Sequence, residues 1–304
     1  MQCFSKHSVV FLGICLFTGS VSAGTTQTWD FTSGASDITN TTPSGLSGLY
    51  NTVTATSSGG ITAMAQGLSN TGNTASAAND IGTNAPNSSS PYTLESAYLG
   101  IYGGGIGVTN KDQSTSSMTN DLNEGISPEH AIDNNQRYDS TLFSFSTKVT
   151  LNSVTLGYPG ASPNVGCTFG GQNCDSDIIV LEWTGLGAPA ALTNGTTTYG
   201  SLPFGPNQWQ LVGGAPIKNA ANTNPNTISG GTPSSYWLIG TLIPIGGACS
   251  GANTCDSYAD FAKIASITGT KPSNGAPEPT SAALSGLALG ILGLVRKLRR
   301  KSAT

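Results

Sequence analysis

The stretch TLFSFSTKVTLNSVTLGY, residues 141–158, decides the fold class of this chain. It holds two β-branched and aromatic runs, 141–146 and 149–156, and neither carries the 3.6-residue spacing of a helix. Val149 and Leu151 alternate with polar residues, as do Val154, Leu156 and Tyr158, but the phase changes at Asn152-Ser153. Such a change predicts a β-bulge or a bend where a strand crosses between sheets. Working outward, short runs bounded by Gly, Pro, Asn and Ser recur at 28–32, 52–56, 61–68, 93–102, 178–183, 209–212, 236–242 and 261–268. Ten short strands with turn signals between them predict an all-β body, an antiparallel β-sandwich of jelly-roll type. A β-helix would need a repeat period, and the sequence has none. Trp29 and Phe31 are expected to point inward from the first strand, which places the start of the domain near Thr25.

Composition agrees with this reading. Of 304 residues only 9% are charged and 40 are glycine, whereas charged residues make up about a quarter of an ordinary soluble domain. That excludes a coiled coil or a bundle laced with Glu–Lys pairs. It also argues against nucleic acid as a partner, because clustered Lys and Arg supply most such affinity. Here they cluster in the last nine residues alone. Residues 24–90 are rich in Ser, Thr, Asn and Gly with early strands, 91–269 carry the main part of the sandwich, and 270–280 read as a linker.

Both ends read as addresses. Lys6 and His7 precede an apolar run over 8–17, and Val21-Ser22-Ala23 places small residues before a cut between Ala23 and Gly24. This is the pattern of a secretory signal peptide, residues 1–23, and its run is about half of the ~20 residues a membrane span needs. The C-terminus presents Pro277-Glu278-Pro279, an apolar run over 282–295, and the basic tail from Arg296 to Lys301. Residues 281–304 are thus expected to hold a short transmembrane helix. Its cationic end would stay cytoplasmic, with Arg and Lys snorkelling to the interface.

These three parts, in this order, resemble the PEP-CTERM sorting signal of Gram-negative bacteria that make extracellular polysaccharide. The resemblance covers residues 276–301. It implies that a membrane-embedded exosortase cuts near Pro277, Glu278 and Pro279 after transient anchoring in the inner membrane. The released protein would then go to the cell surface or the extracellular matrix; a plain single-pass anchor is the alternative. The strings Glu129-His130-Ala131-Ile132-Asp133-Asn134, Leu142-Phe143-Ser144-Phe145, Asp175-Ser176-Asp177-Ile178-Ile179-Val180-Leu181, Tyr236-Trp237-Leu238-Ile239-Gly240 and Asp260-Phe261-Ala262-Lys263-Ile264 resemble a family of exosortase-dependent surface proteins. That likeness bears on location and not on chemistry.

With both ends removed, residues 24–276 carry six Lys or Arg against fifteen Asp or Glu, a net charge of −9. Four cysteines remain: Cys167, Cys174, Cys249 and Cys255. An even count in an exported chain favours disulfides, and four cysteines allow three pairings. Cys-x6-Cys and Cys-x5-Cys are not customary zinc spacings.

For catalysis the body offers one histidine, His130, and no Gly-x-Ser-x-Gly elbow. His130 is expected to satisfy a backbone carbonyl near a strand start, and Gly103-Gly104-Gly105-Ile106-Gly107 to form a flexible turn. Together with the location that the resemblance implies, this leads to the expectation of a non-enzymatic structural or adhesive role in an exopolysaccharide matrix, although two suitably spaced carboxylates would suffice for a glycosidase. Asp133, Asp175, Asp177, Asp256 and Asp260 sit in polar loops or at strand ends. Oxygen-rich loops suit Ca²⁺, so these five are candidate ligands of a structural calcium ion, against a role capping turn amides. Trp209, between Asn207-Gln208 and Gln210, is the candidate for stacking on a sugar if the domain is a carbohydrate-binding module, although a core position is the favoured reading.

Overall fold

The computed structural model describes residues 24–45, 47–70, 93–110, 130–134, 137–158, 168–169, 172–218, 220, 224–243 and 259–273. Fifteen strands follow one another: β1 (Thr26–Asp30), β2 (Ile38–Pro43), β3 (Leu49–Thr56), β4 (Thr62–Ser69), β5 (Glu95–Tyr102), β6 (Gly105–Thr109), β7 (Ile132–Asp133), β8 (Asp139–Gly157), β9 (Thr168–Phe169), β10 (Gln172–Asp175), β11 (Ile178–Trp183), β12 (Trp209–Leu211), β13 (Asn226–Thr227), β14 (Ser234–Thr241) and β15 (Ala259–Thr270). The body is all-β, and every run expected to be a strand overlaps one. Ala23, Pro277, Glu278, Pro279, the helix expected over 281–304, Cys167, Cys249, Cys255 and Asp256 lie outside the described residues, and Cys174 is described in its backbone alone. Among the described residues no helix is long and apolar enough to cross a membrane.

The two runs read within 141–158 are one 19-residue strand, β8. Its first half pairs with β4 on one side and β14 on the other. Its second half pairs with β15 and β13. The hydrogen-bonded path that leaves β8 through β4 runs on through β5 and β6 to β15, and so returns to β8. One strand thus serves two parts of the sheet, and the network closes around a shared core. β11 and β12 extend it beyond β14.

The phase change has a physical cause. Ser153 pairs with Thr268 and Leu151 with Gly269, which leaves Asn152 as an extra residue on β8. A second slip leaves Ala265 extra on β15, between the pairs Ile264 with Leu156 and Ser266 with Thr155. The two bulges cancel, so Val149, Leu151, Val154 and Leu156 all reach the core despite the shift in phase. The bulged Asn152 is held at both ends. Its carbonyl accepts from Ile228 N at 2.8 Å, and its Nδ2 donates to Thr270 Oγ1 at 2.7 Å.

The larger core cluster holds Trp29 and Phe31 as expected, each against a β8 ring: Phe145 at 4.9 Å and Phe143 at 5.4 Å between centroids. Trp29 also donates Nε1 to Ile61 O at 2.7 Å, so its one polar atom is satisfied inside the core. A second cluster gathers Ile179, Leu181, Trp209, Leu238 and Tyr199 on the face of β11 and β14 opposite the first.

The glycine string corrects one expectation. Only Gly103 and Gly104 turn; Gly105–Thr109 is a fully buried strand. A Cβ at Gly105 would overlap the Ile264 carbonyl, and one at Gly107 the His130 carbonyl oxygen. Close backbone approach, not loop flexibility, explains these glycines.

Candidate metal centre

β10 pairs with β15 in parallel, and the pairing sets Asp175 opposite Asp260. Two residues on, Asp177 precedes β11 and donates its backbone N–H to Asp260 Oδ1 at 2.7 Å. The three carboxylates, all buried, place one oxygen each within 4.8 Å of one another. Asn134, just past β7, clamps the group from the other side. Its Nδ2 donates to Asp260 Oδ2 at 2.7 Å, and its Oδ1 accepts from Asp260 N at 2.8 Å.

The electrostatics follow from the geometry. Burial, then the hydrogen bond and charge of Asp175 and the charge of Asp177, hold the Asp260 carboxyl well above the ordinary carboxylate range; the Asp177 amide opposes this. Carboxylates this close cannot all be ionised without a cation, and a shared proton between Asp175 and Asp260 relieves the repulsion. An all-oxygen, fully desolvated donor set fits a hard divalent ion. Three of the five candidate ligands therefore converge. Asp133 does not join them: it opposes Phe261, and its charge acts on Lys263 instead. Asn134 is the partner that a reading of carboxylates alone misses, and its adjacency to Asp133 was the available signal.

Beyond Asp133, Lys263 lies between two rings, its Nζ 4.8 Å from the Tyr102 centroid and 4.1 Å from that of Tyr158. Desolvation by burial lowers its pKa to about 8, opposed by the charge of Asp133. His130 stacks on Tyr102 at 5.7 Å, with left-handed backbone at φ 70°. Its buried Nδ1 has no hydrogen-bond partner among the described residues. Desolvation and the Lys263 charge both lower its pKa.

Trp209 is fully buried, which agrees with the favoured core position and corrects the alternative of a sugar platform. Its polar neighbours Gln208 and Gln210 are partly exposed, so the alternation that suggested exposure turns the indole inward. It supports Trp183, its register partner, in an edge contact at 5.6 Å. Comparison with protein-family models, with curated proteins and with solved structures finds no match to the chain.

Proposed function

We propose that this is an exported, non-enzymatic surface or matrix protein with a structural or adhesive role in an exopolysaccharide matrix. An exosortase would process it at Pro277, Glu278 and Pro279 after transient anchoring in the inner membrane. Its body is read as a jelly-roll-type antiparallel sandwich folded about the bend in β8, with a Ca²⁺ ion held by Asp175, Asp177 and Asp260. The observation that carries the calcium reading is the convergence of three buried carboxylates from two distant segments. Calcium would neutralise them while the Asn134 and Asp177 amides hold the Asp260 carboxylate in place.

The non-enzymatic part is supported by the sequence, whose exported body has one histidine, His130, and no Gly-x-Ser-x-Gly elbow. Two experiments test the reading. Mass spectrometry of the mature protein should find no peptide carrying Arg296 to Lys301; recovery of that tail removes the sorting claim. Melting of the secreted protein should respond to EDTA and to millimolar Ca²⁺; indifference to both removes the metal.

A further inference from the structure

β8 and β14 separate at one point. Tyr236 pairs with Ser144 and Ser234 with Val149, so four residues of β8, Phe145 to Lys148, face the single Ser235 of β14. The bulge opens a cleft of about 220 Å³ lined by Phe145, Lys148, Trp183, Ser234, Ser235 and Tyr236. That is smaller than the roughly 300–1,000 Å³ of sites for drug-sized ligands, with room for one small ring.

The cleft is built rather than accidental. Ser234, itself buried, donates Oγ to the Trp183 carbonyl at 2.6 Å and accepts from Tyr236 N at 3.1 Å, tying the two half-buried aromatics together. Trp183 donates Nε1 to Gly187 O at 3.1 Å and rests edge-on against buried Trp209. Gly185 leaves the space its indole occupies: a Cβ there would lie 2.6 Å from Trp183 Cε2. A platform fixed this way loses little side-chain entropy on binding. Next to it, between the lining residues Gly185 and Gly187, Leu186 is 93% exposed.

The charge pattern names the ligand. In a body of net charge −9, the one charged residue among the described residues that line the cleft is the exposed cation Lys148, and none of these lining residues carries a carboxylate. At physiological ionic strength, fields from exposed charges more than ~8 Å away are largely screened, so the local ammonium governs the contact. We propose that this cleft is a binding subsite for a uronate residue of an acidic polysaccharide. The sugar's apolar face stacks on Trp183 and Tyr236, its carboxylate pairs with Lys148, and its hydroxyls meet Ser235. The inference stands on the cleft alone and needs neither the sorting signal nor the calcium ion.

Titration calorimetry of the full exported protein tests it, with tri-galacturonate as probe and the carboxyl-reduced trisaccharide as its neutral twin. The acidic sugar should bind at least tenfold tighter than its twin. Trp183→Ala should weaken both by tenfold or more, and Trp183→Phe by less than threefold. Lys148→Gln, at an exposed position and so without effect on folding, should equalise the two sugars. Absence of binding to either sugar overturns the proposal, as does equal binding of both by the parent protein. Binding that Lys148→Gln leaves unchanged overturns it too.

Discussion

Asp175 and Asp260 face one another across a parallel strand pair, both desolvated, and the hydrogen bond and charge of Asp175 make Asp260 harder to ionise. This relationship has a consequence for pH. Without a cation, the folded state keeps a proton above the ordinary carboxylate range, where the unfolded state has released it. Stability then falls as pH rises from the ordinary carboxylate range through the raised pKa of the pair. A divalent ion takes the place of that proton and competes with it.

Calcium should therefore stabilise more at pH 8 than at pH 5. With a Kd near 0.1 mM, 10 mM Ca²⁺ would contribute about 2.7 kcal/mol, or about 5 °C in Tm for a body of this size. Scanning calorimetry at the two pH values checks this. Equal shifts at both would mean that no proton is displaced.

Asp175→Asn should separate repulsion from ligation. The amide removes one charge and can donate to the Asp260 carboxylate, so the metal-free variant should match or exceed the parent at pH 8 by about 1 kcal/mol. The same change removes a ligand, so the Ca²⁺ response should shrink to a small residue. A variant that melts lower than the metal-free parent yet keeps the full response would assign these carboxylates another role.

Trp209 should behave as core and not as a contact residue. Trp209→Ala leaves a cavity under Trp183 and should cost about 3–5 kcal/mol. Trp209→Phe should cost far less, because the buried Nε1 makes no hydrogen bond among the described residues that would be lost. Chemical denaturation of the two variants gives the comparison; equal losses would point to a hydrogen bond at Nε1.

These variants also mark where the sequence was readable. Alternation announced the longer strands and even the bulge at Asn152, because one face of each is buried and the other is not. It was silent on β2, whose ITNTTP lies at the sheet margin with no buried side chain, and on β6, buried on every residue. Neither has a period to read. The carboxylates were visible as residue types. Which of them meet depends on the parallel register of β10 with β15, a long-range property that no local spacing encodes. The same limit hid the cleft, whose walls come from three strands and a loop.

Gly107 illustrates the point in reverse, since its role is plain only once β6 packs against His130. Gly107→Ala would drive a methyl group into the His130 carbonyl, where backbone must move. The expected cost is about 1–3 kcal/mol or more, with Gly103→Ala, whose Cβ would meet nothing, as the neutral control. Urea midpoints for the pair decide the matter. Equal midpoints would return the whole glycine string to the status of a turn.

Lys263 sets two opposing effects against each other. Its place over Tyr102 and Tyr158 favours the ammonium by about 0.5–2 kcal/mol, and Asp133 adds to this. Burial opposes both and wins, with the pKa lowered from 10.5 to about 8. Below pH 8 both states carry the proton and the folded state bears the desolvation. Between pH 8 and 10.5 the unfolded chain binds more protons, so this group's contribution to stability rises with pH across that window. Tyr138 and Tyr199, whose hydroxyls burial holds above their ordinary range, act with the opposite sign above about pH 10. The clean interval is therefore pH 8 to 9.5. There the parent should gain stability relative to Lys263→Met, which keeps the apolar stem between the rings but cannot titrate. Parallel melting curves for parent and variant would mean that the ring contacts offset the burial in full.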